Sequence, residues 1–170
     1  AVNSWVSSPE STEAIYGHIS DWDVSGVTSM QNLFNNKWTF NDDIGNWDVS
    51  NVTNMKKMFY EAREFNHDLN NWDVSSVTNM QEMFKAARAF NSDISSWDVT
   101  SVVNMRNMFW QASDFNSDIT SWDVSNNPNL FGMFVSAREF NQDLSSWDVS
   151  SNTDFSQMFS GTQFNYDISG

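Results

Sequence analysis

Apolar side chains recur along this chain with a period of 25 residues, and polar side chains occupy most positions between them. Over residues 97–122 the apolar positions are separated by steps of 2, 3, 3, 3, 4, 3, 4 and 3 residues. The step from Trp97 to Val99 is the two-residue step of a strand. Within residues 105–112 the apolar side chains lie on one face of a helix of about two turns. The pattern therefore predicts one short strand and one short helix in each period.

The period is repeated six times in a column where Trp precedes an Asp-Val pair. This column contains Trp22, Trp47, Trp72, Trp97, Trp122 and Trp147. Two Phe columns have the same period and contain Phe34, Phe59, Phe84, Phe109, Phe134 and Phe159, and Phe40, Phe65, Phe90, Phe115 and Phe140. We predict six tandem repeats over residues 22–170, forming one solenoid domain, and a degenerate N-terminal capping coil over residues 1–21.

A three-residue strand and a two-turn helix have too little apolar surface to fold alone, so each unit must pack on the next. Parallel strands pair about 4.8 Å apart, whereas packed helices lie about 9 Å apart, and this mismatch predicts a curved stack. The predicted fold class is a β/α repeat solenoid similar to leucine-rich repeats. Thr78 and Gln81 have the spacing of a helix capping box, and Pro128 in the Thr78 column suits a helix start.

Both ends of the chain depart from the repeat. Ser8-Pro9-Glu10 predicts a helix start within the N-terminal segment. The side chains expected to cover the first Trp coil are Trp5, Val6, Ile15 and Ile19. Residues 168–170 end where another Trp would follow, with no capping segment, so we expect the parent protein to continue.

Composition excludes several classes of function. The chain has 22 acidic and 8 basic residues and a formal net charge of −14, which repels nucleic acid and anionic lipid. It has no Cys, so disulfides and thiolate chemistry are excluded, and His18 and His67 alone supply little material for a zinc site. An aromatic content of 15% is far too high for a disordered acidic chain.

The repeat unit W-D-V-S-x-V-T-N-M-x-x-M-F-x-x-A-x-x-F-N-x-D-I-S-x covers about residues 19–170. It resembles the 25-residue bacterial surface-protein repeat, the PARCEL-type repeat that is grouped with BspA-like leucine-rich repeats. This resemblance implies a cell-surface or secreted location, often in lipoproteins and adhesins, and it implies no defined activity. The fifth unit departs from the pattern at residues 126–131, so we expect its inner packing to differ there.

Two Asp columns hold 12 of the 22 acidic residues. They contain Asp23, Asp48, Asp73, Asp98, Asp123 and Asp148, and Asp43, Asp68, Asp93, Asp118, Asp143 and Asp167. We favour Asx-type turns, in which each carboxylate accepts nearby backbone N–H groups, and we predict no cofactor. A Ca²⁺ ladder is the weaker alternative, with Asp48, Asp73, Asp98 and Asp123 as candidate ligands, because calcium-binding rolls place Gly around each Asp.

Other repeated columns predict packing rather than chemistry. The Asn column that follows Phe is expected to form an internal ladder of amides between neighbouring coils. Trp97 is expected to be fully buried and stacked between Trp72 and Trp122. A uniform array of this kind offers no singular pocket with perturbed groups, so we predict that the chain is not an enzyme.

Two variable columns, four residues apart, combine basic and aromatic side chains on this acidic protein. They contain Lys56, Tyr60, Gln81, Lys85, Arg106, Trp110, Phe131 and Val135. If they form a binding strip, Lys56, Tyr60, Arg106, Trp110, Phe131 and Val135 should be substantially exposed on adjacent helices. The alternative is drift at unconstrained surface positions, with Trp110 and Phe131 covering a neighbouring helix.

The leading hypothesis is a non-enzymatic, extracellular or cell-surface interaction and adhesion module. Its predicted partner is a host or neighbouring-cell surface protein or glycan. We expect a monomer that neither binds nucleic acid nor inserts this segment into a membrane. The alternatives are a passive spacer in a longer adhesin and a regular surface that binds ice or Ca²⁺. The hydroxyl column behind the ice hypothesis contains Ser25, Ser50, Ser75, Thr100, Ser125 and Ser150.

Overall fold

The computed structural model describes residues 1–167. Its helices lie in the N-terminal segment: α1 covers Val2–Ser7, α2 covers Pro9–Tyr16, and a 3₁₀ turn covers Ile19–Asp21. The described part of the chain contains no β-strand. The expectation that the parent protein continues beyond residues 168–170 lies outside the described residues.

The helix start predicted at Ser8-Pro9-Glu10 is confirmed. Ser8 occupies the N-cap of α2 and Pro9 lies in its first turn, where the missing Pro N–H has no partner to lose. Trp5 and Ile19 are buried against the first repeat as expected, with Trp5 in edge contact with the Trp22 ring at 5.9 Å. Ile15 remains 71% exposed, so its predicted covering role is wrong.

The predicted β/α solenoid, with a strand and a helix in each coil, is wrong. Between the 3₁₀ turn and residue 167 the backbone forms turns and isolated parallel bridges. These bridges pair Ser29 with Asn54, Asn54 with Asn79, Asn79 with Asn104, and Asn129 with Asp154. They fall seven residues after each Trp rather than at Trp-Asp-Val, and the strand–helix mismatch behind the predicted curvature is absent from residues 22–167.

The helix fails because alternate backbone N–H groups in its segment donate to the following repeat. Three such hydrogen bonds run from Lys57 to the Gln81 carbonyl (3.0 Å), from Phe59 to Met83 (2.9 Å) and from Glu61 to Lys85 (2.8 Å). The intervening Met58 N–H donates three residues back to the Met55 carbonyl at 3.1 Å. Lys57 and Glu61 take φ values of 57° and 55°, which an α-helix cannot contain. Each repeat is therefore a series of tight turns tied to the next repeat.

The predicted capping box at Thr78 and Gln81 is also wrong, because both residues bond to groups other than those of a helix N-terminus. Thr78 donates its backbone N–H and its hydroxyl to the Thr53 carbonyl of the preceding repeat, at 2.9 and 3.1 Å. The Gln81 N–H donates to the side-chain oxygen of Asn79 at 3.0 Å. Both groups therefore support turns and inter-repeat contacts instead of a helix N-terminus.

The core is a set of parallel aromatic stacks that follow the predicted columns. Phe84 stacks on Phe109 with a centroid distance of 5.7 Å. Trp97 is 3% exposed and lies between Trp72 and Trp122, at 6.5 and 6.2 Å and nearly parallel to both. The predicted burial and stacking of Trp97 are confirmed.

The fifth unit interrupts the series of parallel bridges between repeats, as its sequence leads us to expect. The described residues show no bridge between Asn104 and Asn129, although the bridges on either side are present. Pro128 has no N–H with which to make the bond that Thr153 makes to the preceding repeat. Asn127 replaces the Val of this column and is 1% exposed, so the core carries an amide here.

Candidate functional site

The variable columns lie side by side on one turn-built face of the stack, which we call the cation–aromatic strip. Its candidate partner-binding residues are Lys56, Tyr60, Lys85, Arg106, Trp110, Phe131 and Val135. Arg106 is exposed, Val135 is buried with 8% exposure, and the other five are half-buried. The expectation of uniform exposure on adjacent helices is therefore wrong, because turns replace the helices and Val135 packs inward.

The strip is organised by contacts between cations and rings in successive repeats. The Lys85 ammonium lies 5.7 Å from the centre of the Tyr60 ring and 5.0 Å from that of Trp110. The Arg106 guanidinium lies 4.4 Å from the Phe131 ring centre. Each such contact contributes about 0.5–1 kcal/mol at an exposed site. The strip is therefore ordered before any partner arrives.

Sequence reasoning missed these contacts between cations and rings, and it also missed a further contact between Trp38 and Arg63. Trp38 is 54% exposed, and the Arg63 guanidinium lies 4.6 Å from its ring centre. Arg63 also donates to the Glu61 carboxylate at 2.7 Å. Trp38 and Arg63 are 25 residues apart, as are the partners of most of these contacts. An aromatic residue followed by a cation one repeat later was the available signal.

The first Asp column forms the local hydrogen bonds expected of Asx-type turns. Asp73 Oδ1 accepts the Ser75 N–H at 3.1 Å and the Ser75 hydroxyl at 2.6 Å. The Ser75 hydroxyl bond is the main cause that holds the pKa of Asp73 below its ordinary value, and the backbone N–H bond adds to it. The pKa is lowered in the same way in Asp23, Asp48, Asp123 and Asp148.

The second Asp column makes the same kind of turn with a different balance of donors. Asp118 Oδ1 accepts the Thr120 N–H at 2.9 Å and the Thr120 hydroxyl at 2.7 Å. The backbone bond is the larger cause of its lowered pKa. Among residues 1–167 no group of three or more acidic or His side chains is placed to hold a metal ion. In both columns one carboxylate oxygen therefore accepts hydrogen bonds within its own turn.

The Asn ladder between repeats is confirmed, although it lies at the surface rather than inside. Asn66 Oδ1 accepts the Asn91 N–H at 2.8 Å, and Asn91 Oδ1 accepts the Asn116 N–H at 2.8 Å. Asn66 and Asn91 are both exposed. The amide oxygens thus tie each repeat to the next and are not free for a ligand.

A second Asn column was missed by sequence reasoning. Asn79 Oδ1 accepts the Gln81 N–H, and the Asn79 carbonyl accepts the Met55 N–H from the preceding repeat at 2.9 Å. The recurring Asn-Met pair in the sequence was the signal for this turn. The Asn residues of this column form the parallel bridges between repeats.

The hydroxyl column that suggested an ordered surface is largely engaged within its own turns. Ser25, Ser50 and Thr100 donate their hydroxyls to the Asp two residues earlier at 2.6–2.7 Å. These hydroxyl groups therefore have a partner in the protein, which limits their availability to water or ice.

Within residues 1–167 no helix has the length and apolar character needed to cross a membrane. A family model described as "Mycoplasma protein of unknown function, DUF285" matches residues 6–103 and again residues 91–170. Neither the curated proteins nor the solved structures gave a match to this chain.

Proposed function

The chain belongs to the DUF285 family, a bacterial repeat family, and from this premise we propose that it is a non-enzymatic interaction and adhesion module, outside the cell or on its surface. The observation that supports this function is the cation–aromatic strip. It places basic and aromatic side chains together on a protein with a net charge of −14. Tyr, Trp and Arg are the residue types that dominate binding energy at protein interfaces.

The chemistry of the strip suits a partner protein or glycan. Trp110 and Tyr60 are half-buried, so part of each ring is fixed and part remains available for contact. Ordered rings lose little conformational entropy when a partner binds, which favours affinity. A strip that crosses several repeats also suits an extended partner better than a small molecule.

The test is a binding comparison against arrays of host glycoproteins and glycans. Trp110→Ala combined with Tyr60→Ala should weaken binding to an identified partner by about 2 kcal/mol or more if these rings are central anchors. Tyr16→Ala is the matched control, because Tyr16 is 58% exposed and lies outside the strip. Unchanged binding in a folded double variant would contradict the strip as the binding surface.

A separate variant covers the case in which the double variant loses stability. Arg106 is exposed, and its guanidinium lies over the half-buried Phe131 ring and attracts the Asp154 carboxylate. Because these contacts lie outside the buried core, Arg106→Gln should leave the fold intact. Reduced binding by this variant supports the strip, whereas unchanged binding by both variants rejects it. The Asx turns around Asp73, Ser75, Asp98 and Thr100 are then the next surface to examine.

The second candidate is a passive spacer within a longer adhesin. Regular backbone bonds from repeat to repeat favour it, because they make a continuous stack of nearly identical units. Deleting residues 72–121 removes two units in register. A spacer should keep full binding by the whole protein after this deletion, whereas an interaction module should lose it.

The interaction module needs no cofactor. If turns alone satisfy the Asp columns, EDTA should leave the Tm almost unchanged. A metal bound only by the folded state at a hundredfold excess over its Kd adds about 2.7 kcal/mol, which is easily detected. If EDTA lowers the Tm strongly and Ca²⁺ restores it, the result would support Ca²⁺ binding by Asp48, Asp73, Asp98 and Asp123.

A further inference from the structure

A polar cleft of about 240 Å³ lies beside the strip and is lined by five residues: Arg88, Gln111, Ser113, Ser136 and Arg138. Arg88, Ser113 and Arg138 occupy one column of the repeat, 25 residues apart. The Ser113 side chain is short, whereas the Arg88 and Arg138 side chains on either side of it are long. The cleft lies over Ser113, between the two arginines. Each step along the stack is close to the 5.7 and 5.8 Å that separate Phe84, Phe109 and Phe134.

The guanidinium groups of both arginines in this cleft are uncommitted, unlike the charged groups of most other cations in the described residues. Arg63, in the same column, is held by Glu61 and Trp38, and Lys57 and Lys85 pair with Glu82. Arg88 and Arg138 are both exposed, and across residues 1–167 neither side chain has an ion pair or a ring contact. Their guanidinium groups are therefore free to bind an anion.

The lining between the arginines consists of groups that can donate to an oxyanion. The Ser113 hydroxyl makes only a long contact of 3.4 Å to the Arg88 carbonyl, so it can turn to another acceptor. Gln111 is exposed and offers a side-chain amide. Arginine forks match the geometry of sulfate, phosphate and carboxylate oxygens and form charge-assisted hydrogen bonds with them.

We infer that the cleft between Arg88 and Arg138 binds a single oxyanion group: a sulfate, a phosphate or a carboxylate. Asp114 and Glu139 are exposed and directly follow Ser113 and Arg138 in the chain. These carboxylates and the net charge of −14 disfavour a long polyanion, while two local guanidinium groups favour one anionic group. The site does not depend on the proposed function of the strip.

The test is an NMR titration of the ¹⁵N-labelled protein with sodium sulfate, sodium phosphate and sodium acetate, each at constant ionic strength. Saturable shifts should be confined to the Arg88 and Arg138 Nε–H groups, the Gln111 side-chain amide and the Ser113 backbone. The three salts separate a preference for tetrahedral anions from a preference for a planar carboxylate. Uniform, non-saturating shifts would overturn the site.

Two variants separate a shaped cleft from general attraction. Arg88→Gln with Arg138→Gln should weaken binding at least tenfold, whereas Arg63→Gln with Lys37→Gln, which removes the same charge elsewhere, should not. Ser113→Arg fills the gap while adding a positive charge. Loss of binding in this variant supports the cleft, and tighter binding or an equal loss in the charge control overturns it.

These outcomes are independent of the array experiment. The anion titration leaves Trp110 and Tyr60 unchanged, and the array variants leave Arg88 and Arg138 unchanged. An anion site without a strip partner, or a strip partner without an anion site, is therefore recognisable in the two data sets.

Discussion

At the scale of single residues, each Trp of the repeat serves both packing and hydrogen bonding. The Trp97 indole is stacked between two other Trp rings, and its Nε1–H donates to the Leu69 carbonyl at 2.9 Å. The same bond is made by Trp72 and Trp122 to the carbonyls 28 residues earlier. The ring therefore fills the core and satisfies a buried backbone acceptor at once.

Replacing Trp97 by Ala should lower the free energy of unfolding by about 3–5 kcal/mol, since it leaves a cavity and an unpaired carbonyl. Urea denaturation measures the change. Trp38→Ala is the matched control, because Trp38 is 54% exposed, and it should cost less than about 1 kcal/mol. A loss below about 1 kcal/mol for Trp97→Ala would contradict the stacked core.

The Asp73 turn gives a second test at this scale. The pKa of Asp73 lies below 3.8, chiefly because the Ser75 hydroxyl donates to the carboxylate. Ser75→Ala should therefore raise the pKa of Asp73 towards its ordinary value in a ¹³C NMR titration. Ser76→Ala, a change at the adjacent exposed position, should leave this pKa unchanged. An Asp73 pKa that is equal in all three proteins would refute the hydrogen bond from the Ser75 hydroxyl.

The sign of the accompanying pH effect follows from this lowered pKa. A carboxyl group with a lower pKa in the folded state stabilises the protein above its unfolded value, near 3.8. That stabilisation is lost as the pH falls through the folded pKa. The Tm should therefore fall with decreasing pH below about 4, and Ser75→Ala should make the fall slightly shallower.

At the scale of the turn element, each repeat has two residues with positive φ that lie four positions apart. Lys57, Glu82, Asn107 and Gln157 adopt φ values of 57–61° at equivalent positions. Gly132 shares this position with a φ of 60°. A Cβ there would lie 2.6 Å from Asn107 Oδ1 and 3.1 Å from the Trp110 ring. The fifth unit thus needs glycine chiefly because of its neighbours, since other residue types adopt the same φ at the equivalent positions.

Gly132→Ala should destabilise the protein by at least about 1–2 kcal/mol, because the left-handed backbone cost adds to a steric clash. Thermal and urea denaturation measure this loss. Gly26→Ala is the control, since a Cβ at Gly26 meets nothing within 4 Å, and it should stay within about 0.5 kcal/mol. Equal stability of the two variants would show that Asn107 and Trp110 do not pack over Gly132.

At the scale of the whole molecule, the inter-repeat ladder is continuous in the first units and interrupted at the fifth. The bridge between Asn104 and Asn129 is missing, and within residues 1–167 the buried Asn127 Nδ2 and Asn152 Oδ1 have no hydrogen-bond partner. In a linear stack, stability depends on the contact between neighbouring repeats. The last two repeats should therefore open more readily than the earlier ones.

Hydrogen exchange should show this difference. The Leu130 and Phe134 amides should exchange faster than the equivalent Met80 and Phe84 amides, although all four donate to the following repeat. Pro128→Thr restores a backbone N–H at the interrupted position and should slow exchange in the last units. Uniform protection along the stack would contradict a weak junction at the fifth unit.

The sequence alone determined the period, the stacked columns and the turns around Asp. Burial of Trp97 and the bonds of Asp73 depend on residue type and a fixed spacing, which are visible in the chain. The basic and aromatic residues of the strip could be named from the sequence for the same reason. Their contacts could not be predicted, because Tyr60 and Lys85 meet only when adjacent repeats stack.

Only the tertiary structure decided the local backbone. Apolar steps of three and four residues fit a helix, and they equally fit tight turns in which every fourth residue, such as Lys57 and Glu61, has positive φ. Propensity favours the helix, yet the Lys57 N–H donates to Gln81 in the next repeat. The choice between the two depends on whether a neighbouring repeat offers a carbonyl at the right distance. No single repeat encodes that distance, because it exists only once the repeats are stacked.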